Sequence, residues 1–140
     1  MSKPQKIEYH QIEAGHEFHP VSYQLDASIV ATYLRAVGET SSLYQNTKLV
    51  PPMAAAAHAL ATLSDGISLP PRTIHVSQEL EFFDTVNVGD TIVCNAKVIR
   101  KQDRGKLHIM TIDLNVFNQK HKRVLAGRTS FVLPGSDNGR

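Results

Sequence analysis

From Ile74 to Leu133 apolar and polar residues mostly alternate, whereas between Asp26 and Gly66 the apolar positions recur at helical spacing. Ile29, Val30, Tyr33, Leu34 and Val37 fall on one face of a 3.6-residue period. Asp26 ahead of them is suited to cap a first-turn N–H, and Gly38 behind them to the left-handed stop. Glu39–Tyr44 then forms the loop leaving this helix, and a short strand is expected before it, over Phe18–Leu25. A second helix opens at Pro51-Pro52, where the first turn requires no N–H, and ends at Asp65-Gly66. Six alanines between positions 54 and 62 make it a thin rod, suited to close contact on several sides. Four strands follow. In the first, Ile74, Val76, Leu80 and Phe82 share one face against His75, Ser77, Glu79 and Glu81. Thr91–Arg100 alternates Ile92, Cys94, Ala96 and Val98 with polar positions, and Leu107–Phe117 does the same with Met110, Ile112, Leu114 and Val116. Val124–Leu133 is the last strand. Turns fall at Val88-Gly89-Asp90, at Gln102–Lys106 and at Asn118–Arg123. A helix pair, an earlier short strand and four antiparallel strands define an α+β architecture.

A chain of 140 residues, 41% apolar and 20% charged, suits one globular domain spanning 1–140, with 1–15 and 135–140 expected to lie loose. The formal charge of +2 is too small to argue for nucleic acid. No apolar run approaches the roughly 20 residues of a membrane span, and no signal-peptide core follows Met1. The single cysteine, Cys94, closes no internal disulfide and suits a reducing cytoplasm; it reads most simply as a small core residue. No C-x-x-C or H-E-x-x-H spacing calls for a metal, and no cofactor is indicated.

The stretch Arg35-Ala36-Val37-Gly38-Glu39-Thr40-Ser41-Ser42-Leu43-Tyr44, with Val50-Pro51-Pro52-Met53-Ala54 after it, resembles the signature loop of the MaoC-like (R)-hydratase/dehydratase family. Catalytic members of that family read roughly G-D-x-N-P-x-H. Here Gly38 keeps the glycine, Glu39 stands at the aspartate, Ser41-Ser42 at the Asn-Pro pair and Tyr44 at the histidine. His75-Val76-Ser77-Gln78-Glu79, the Gly89-Asp90 turn and Val124-Leu125-Ala126-Gly127-Arg128 extend the likeness from about Asp26 to Leu133. Within the family the chain is most similar to the N-terminal, non-catalytic type of MaoC-like domain. The resemblance implies a hot-dog fold, an antiparallel curved sheet wrapped around a central Ala-rich helix, and a dimer.

The family's chemistry, hydration of a 2-enoyl thioester or its reversal, needs an acid/base pair and donors aimed at a developing enolate oxygen. A phenol holds its proton at neutral pH, so Tyr44 cannot act as the imidazole does. Glu39 keeps the charge one methylene further out, and a misplacement of about 1 Å costs ~10²-fold. Both are degenerate catalytic positions. Glu39 also reads as a solvated residue after a helix end, and Tyr44 as a residue packed on its loop. His58 is the third candidate, as an approach to a thioester or as a histidine at a helix–sheet contact. Pro52, Met53, Ala54 and Ala55 are the candidate helix start for a carbonyl oxygen. Lys101, Arg104 and Lys106 at one tip, with Lys120, Lys122 and Arg123 at the other, are candidate CoA-phosphate contacts or solvated hairpin ends. His75 and His108 read as surface or groove residues.

Three functions follow. The leading one is a substrate-binding subunit of a (3R)-hydroxyacyl-thioester dehydratase or enoyl-thioester hydratase in fatty acid metabolism, taking acyl-CoA or acyl-carrier-protein thioesters and pairing with a catalytic hot-dog partner. The alternatives are a stand-alone hydratase or thioesterase built on Glu39 and His58, and a non-catalytic acyl-CoA-binding homodimer.

Overall fold

The backbone pairing of a computed structural model, which describes residues 6–135, follows the alternation just set out. In chain order the elements are β1 (Ile7–Glu8), a single 3-10 turn (Tyr9–Gln11), β2 (Val21–Gln24), α1 (Ala27–Val37), α2 (Ser42–Asn46), α3 (Pro52–Gly66), β3 (Ile67–Ser68), β4 (Ile74–Phe82), β5 (Thr91–Arg104), β6 (Leu107–Phe117) and β7 (Arg123–Pro134). Five strands form one antiparallel sheet in the order β2-β5-β6-β7-β4, and β1 and β3 make a small parallel pair. No helix among the described residues is long and apolar enough to cross a membrane.

Both ends of α1 are where the sequence puts them. Asp26 Oδ1 accepts from the Ile29 N–H at 2.9 Å and from the Ser28 hydroxyl at 3.0 Å. Gly38, at φ 71°, closes the helix with its N–H on Arg35 O and the Glu39 N–H on Leu34 O, so two orphan carbonyls are satisfied. α3 buries Ala54, Ala55, Ala56, Ala59 and Leu63. The inner positions expected of β5 and β6, Ile92 to Val98 and Met110 to Val116, are all essentially buried. These residues and the alanines belong to one hydrophobic core.

Three expectations are corrected. In β4 the shared apolar face breaks, because the register shifts between His75 and Ser77. The unpaired Val76 changes which side each residue faces: His75 pairs with Phe131, on the same side as Leu80 and Phe82, and Ile74 turns outward. Ile74 and Val76 stay 59% and 51% exposed. Second, β5 does not stop at Arg100. A shift at Ile99 lets the pairing run on to Arg104↔Leu107, so Gln102 and Asp103 lie in the strand rather than at a tip, and Lys101 and Asp103 come to the inner face with Met110 and His108. Third, the described part of the N-terminal segment is not loose. Ile12 is fully buried, and Lys101 Nζ donates to Tyr9 O and Ile12 O at 3.2 and 2.6 Å. Residues 15–18 continue the pairing of β2 along β5 through Gly15 N–H to Val98 O and Phe18 N–H to Ala96 O. Residues 1–5 and 136–140 fall outside the described part.

Cys94 is fully buried. Burial pushes its thiol up to about 11, against a smaller downward pull from the Thr62 hydroxyl. The folded chain therefore holds this proton when the unfolded chain would release it. The stability this confers is intact below pH 9.0 and fades as the pH rises toward about 11. A thiol reagent added to the native protein near neutrality is expected to leave Cys94 unmodified until the chain unfolds, which mass spectrometry across a urea series reads directly. Ala56→Leu, at a site with no exposed surface, is expected to cost about 1–3 kcal/mol by overpacking, measured as a lower urea midpoint.

Candidate functional site

The loop after α1 is organised by its own side chains. The Glu39 carboxylate accepts the Ser41 N–H at 3.1 Å, and Ser41 Oγ accepts the Leu43 N–H at 3.2 Å. With Gly38 stopping one helix and Ser41 capping the next, Glu39–Tyr44 is not an open loop throughout; its second half is the first turn of α2. Glu39 is exposed and directed at the backbone of its own turn.

Tyr44, half-buried, stands between two hollows. On one side, Leu34, Gly38, Glu39 and Ser41 line a cavity of about 340 Å³ with it. On the other, Leu43, Leu49, Pro52, Ala55, Phe82 and Phe83 line one of about 490 Å³, closed further by Val124 and Leu125. This second cavity is mainly apolar, with Asp84 the only charged side chain in its lining. Lys122 holds that carboxylate at 2.7 Å, and the Thr85 N–H bonds it at 2.8 Å. The Lys122 bond, then the Thr85 bond, set the Asp84 carboxyl below its ordinary 3.8. Beside it, the Arg123 guanidinium lies 4.3 Å from the centroid of the Phe83 ring. The chamber is thus apolar, with two cationic side chains at its rim.

At the start of α3 the Ala54 and Ala55 N–H groups point at Pro51 O, at 2.9 and 3.4 Å, and Pro52 has no N–H. Of the four residues singled out there, Pro52 and Ala55 line the apolar cavity and Met53 and Ala54 do not. His58 lines neither hollow; its ring packs 5.6 Å from that of Tyr23. Arg104 and Lys106 sit at the β5–β6 tip, whereas the cavity meets β7 at Val124 and Leu125, on the order of 30 Å away along the strand. Within one chain, then, Tyr44 is brought together with Glu39 on one side and with Pro52 and Ala55 on the other. His58, Arg104 and Lys106 stand apart. Leu43, Leu49 and Asp84 were missed by the sequence reading. The adjacent Phe82 and Phe83, which interrupt the alternation and remain 42% and 41% exposed, are the signal that points to them.

An antiparallel five-stranded sheet packed against an Ala-rich helix is the hot-dog fold, and solved structures share it. The chain is similar to a monoamine oxidase regulatory protein from Archaeoglobus (TM-score 0.79, 19% identity, covering 97% of this chain and 99% of that one). It is similar to the R-hydratase PhaJ1 of Pseudomonas aeruginosa (0.76, 21%, 94% and 88%). It is also similar to a chain of the HadBC (3R)-hydroxyacyl-ACP dehydratase complex of Mycobacterium tuberculosis (0.70, 15%, 85% and 96%). A search of curated proteins returns no match. The fold and these neighbours define a hot-dog domain. A family model described as FAS1-like, dehydratase domain region matches residues 13–126, and the chain belongs to that family.

Because Lys122 is the first cause of the lowered Asp84 value, the stability this carboxylate confers is present above pH 3.8 and lost as the pH falls through its lowered folded value. Lys122→Met is expected to move the Asp84 carboxyl back toward 3.8, read from the side-chain carbon shift in an NMR titration.

Proposed function

We propose that this chain is a substrate-binding subunit of a (3R)-hydroxyacyl-thioester dehydratase or enoyl-thioester hydratase, and that it works paired with a hot-dog partner carrying an intact aspartate and histidine. The observation that carries the reading is the use made of Glu39: its carboxylate is tied to the Ser41 N–H in its own turn, with a phenol, not an imidazole, five residues on. A carboxylate with one oxygen held by its own backbone, beside a phenol that keeps its proton, supports binding over water activation. Removing a general acid/base costs ~10²–10⁴-fold, which leaves binding without useful turnover.

The chamber beyond Tyr44 supports the binding half of this reading. Its apolar lining suits the acyl chain, and Lys122 and Arg123 at its mouth suit the phosphates of CoA or of a carrier-protein arm. β4 supports the pairing half. It ends the sheet with one edge unpaired among the described residues, and it exposes Ile74, Val76 and Phe82. The HadBC neighbour is itself a complex of a (3R)-hydroxyacyl-ACP dehydratase.

The test is hydration of crotonyl-CoA, followed as loss of enoyl absorbance, by the chain alone and together with a MaoC-like chain that has the complete loop. The isolated chain is expected to bind acyl-CoA and to hydrate it ~10²–10⁴-fold more slowly than the pair. Glu39→Ala is expected to change neither rate beyond what loop stability accounts for. Brisk hydration or thioester hydrolysis by the lone chain, abolished by Glu39→Ala, would overturn the proposal.

A further inference from the structure

Strand register lays the outward side chains of the sheet in rows across β4, β7, β6 and β5. One row reads Glu79, Arg128, Asp113, Lys97, so acid and base alternate along it. Arg128 and Asp113, in the middle, hold each other at 2.7 Å. Glu79 and Lys97, at the two ends, are exposed and belong to no ion pair among the described residues. A second row, further along the strands, reads Ile74, Val132, Ile109, Gln102. Leu107 stands two residues from Ile109 on the same face, and Ile74 and Leu107 are 59% and 48% exposed. On the other side of the charged row come Glu81, Ala126, Asn115 and Asn95. Ala126 offers only a methyl there, and the face dips into a hollow of about 520 Å³ bordered by Glu81, Asp113, Arg123 and Arg128.

Reversed left to right, a row of acid, base, acid, base becomes base, acid, base, acid. A twofold axis parallel to the strands, passing between β6 and β7, lays one sheet face on another with just that reversal. Glu79 then stands over Lys97 of the second copy and Arg128 over its Asp113, so each of the four positions meets the opposite sign. The same axis puts Ile109 over Val132, apolar on apolar, and seats Asn115 above the hollow at Ala126. In the row between, Thr111 comes over Ser130 and Arg100 over Ser77, with no like charge opposed. An axis across the strands at the charged row would instead set each of its residues against its own copy, four like charges face to face. The charge pattern selects the first arrangement.

We propose that the outward face of the sheet is a contact between two copies of this chain, stacked about a twofold axis parallel to the strands. It gives Glu79 and Lys97 the partners they lack within one chain and covers the apolar end of the face. The contact is independent of the thioester chamber and of any strand added beside β4, from which Lys97 is separated by β7 and β6.

The test is sedimentation velocity of the full chain over a concentration series, with carbodiimide coupling read by mass spectrometry. The parent chain is expected to dimerise reversibly, and less tightly as salt is raised. Carbodiimide joins an amine to a carboxylate in direct contact. Within one chain Lys97 and Glu79 lie three strand spacings apart, about 14 Å, so a bond between them forms only between copies. A mixture of ¹⁵N-labelled and unlabelled chains is expected to show that bond in hybrid form. Lys97→Glu alone and Glu79→Lys alone each turn two attractions into two repulsions and are expected to weaken the dimer about tenfold. The two substitutions together restore opposite signs and are expected to recover the parent's affinity. Both positions are exposed, so every variant is expected to keep a Tm close to the parent's. The proposal is overturned if the parent stays monomeric, if Lys97→Glu leaves its dimer as tight, or if the double variant fails to recover it.

Discussion

How closely α3 can approach the sheet is set by methyl groups, and the arrangement of everything else follows from that distance. A helix carrying leucines on several sides would hold the strands a side chain further off. With Ala54, Ala55, Ala56 and Ala59 buried, α3 sits within the curl of β5 and β6, and their inner residues pack into one core. That placement brings Pro52 and Ala55 under the α2 turn and so forms one wall of the apolar chamber. The chamber is thus a by-product of a thin helix meeting the flank of a curved sheet, and its width is fixed by packing rather than by the loop above it.

Much of this was legible in the residues. Asp26 and Gly38 mark the ends of α1 because a side-chain acceptor and a left-handed stop are local requirements, satisfied within a few residues. Alternation in β5 and β6 marked the inner face for a similar reason. The two bulges were not legible. Nothing in Val76 or Ile99 distinguishes an unpaired strand residue from a paired one, and each shift depends on what the neighbouring strand demands. The shift at Ile99 reaches furthest, because it turns Lys101 to the Tyr9–Ile12 segment, two of whose carbonyls it binds. The buried Ile12 escaped notice because a segment that runs along β5 and is tied to it by Lys101 needs no periodicity of its own.

At the candidate site the resemblance pointed to the loop after Gly38 but not to its internal bonding. The resemblance supplied the positions of Glu39 and Tyr44; only the folded chain supplies the Ser41 N–H that engages Glu39 and the chamber behind Tyr44. His58 shows the converse limit. It is the one histidine on the central helix, but helical geometry turns it toward Tyr23 on β2. Identities of 15–21% to solved hot-dog structures fit this picture: the scaffold tolerates wide substitution, and function lives in a few side chains that the fold does not dictate.

The outward face of the sheet carries a row of alternating charge, Glu79, Arg128, Asp113 and Lys97, across β4, β7, β6 and β5, with Arg128 Nε 2.7 Å from Asp113 Oδ1. The row ends on an acid at the sheet's open margin, and Glu81 stands two residues along the same strand. Were an identical strand laid antiparallel against that margin and centred on Leu80, each Glu79 would confront a Glu81, a repulsive pairing. A strand of opposite sign would meet no such resistance. Self-pairing of this margin at that register is therefore disfavoured.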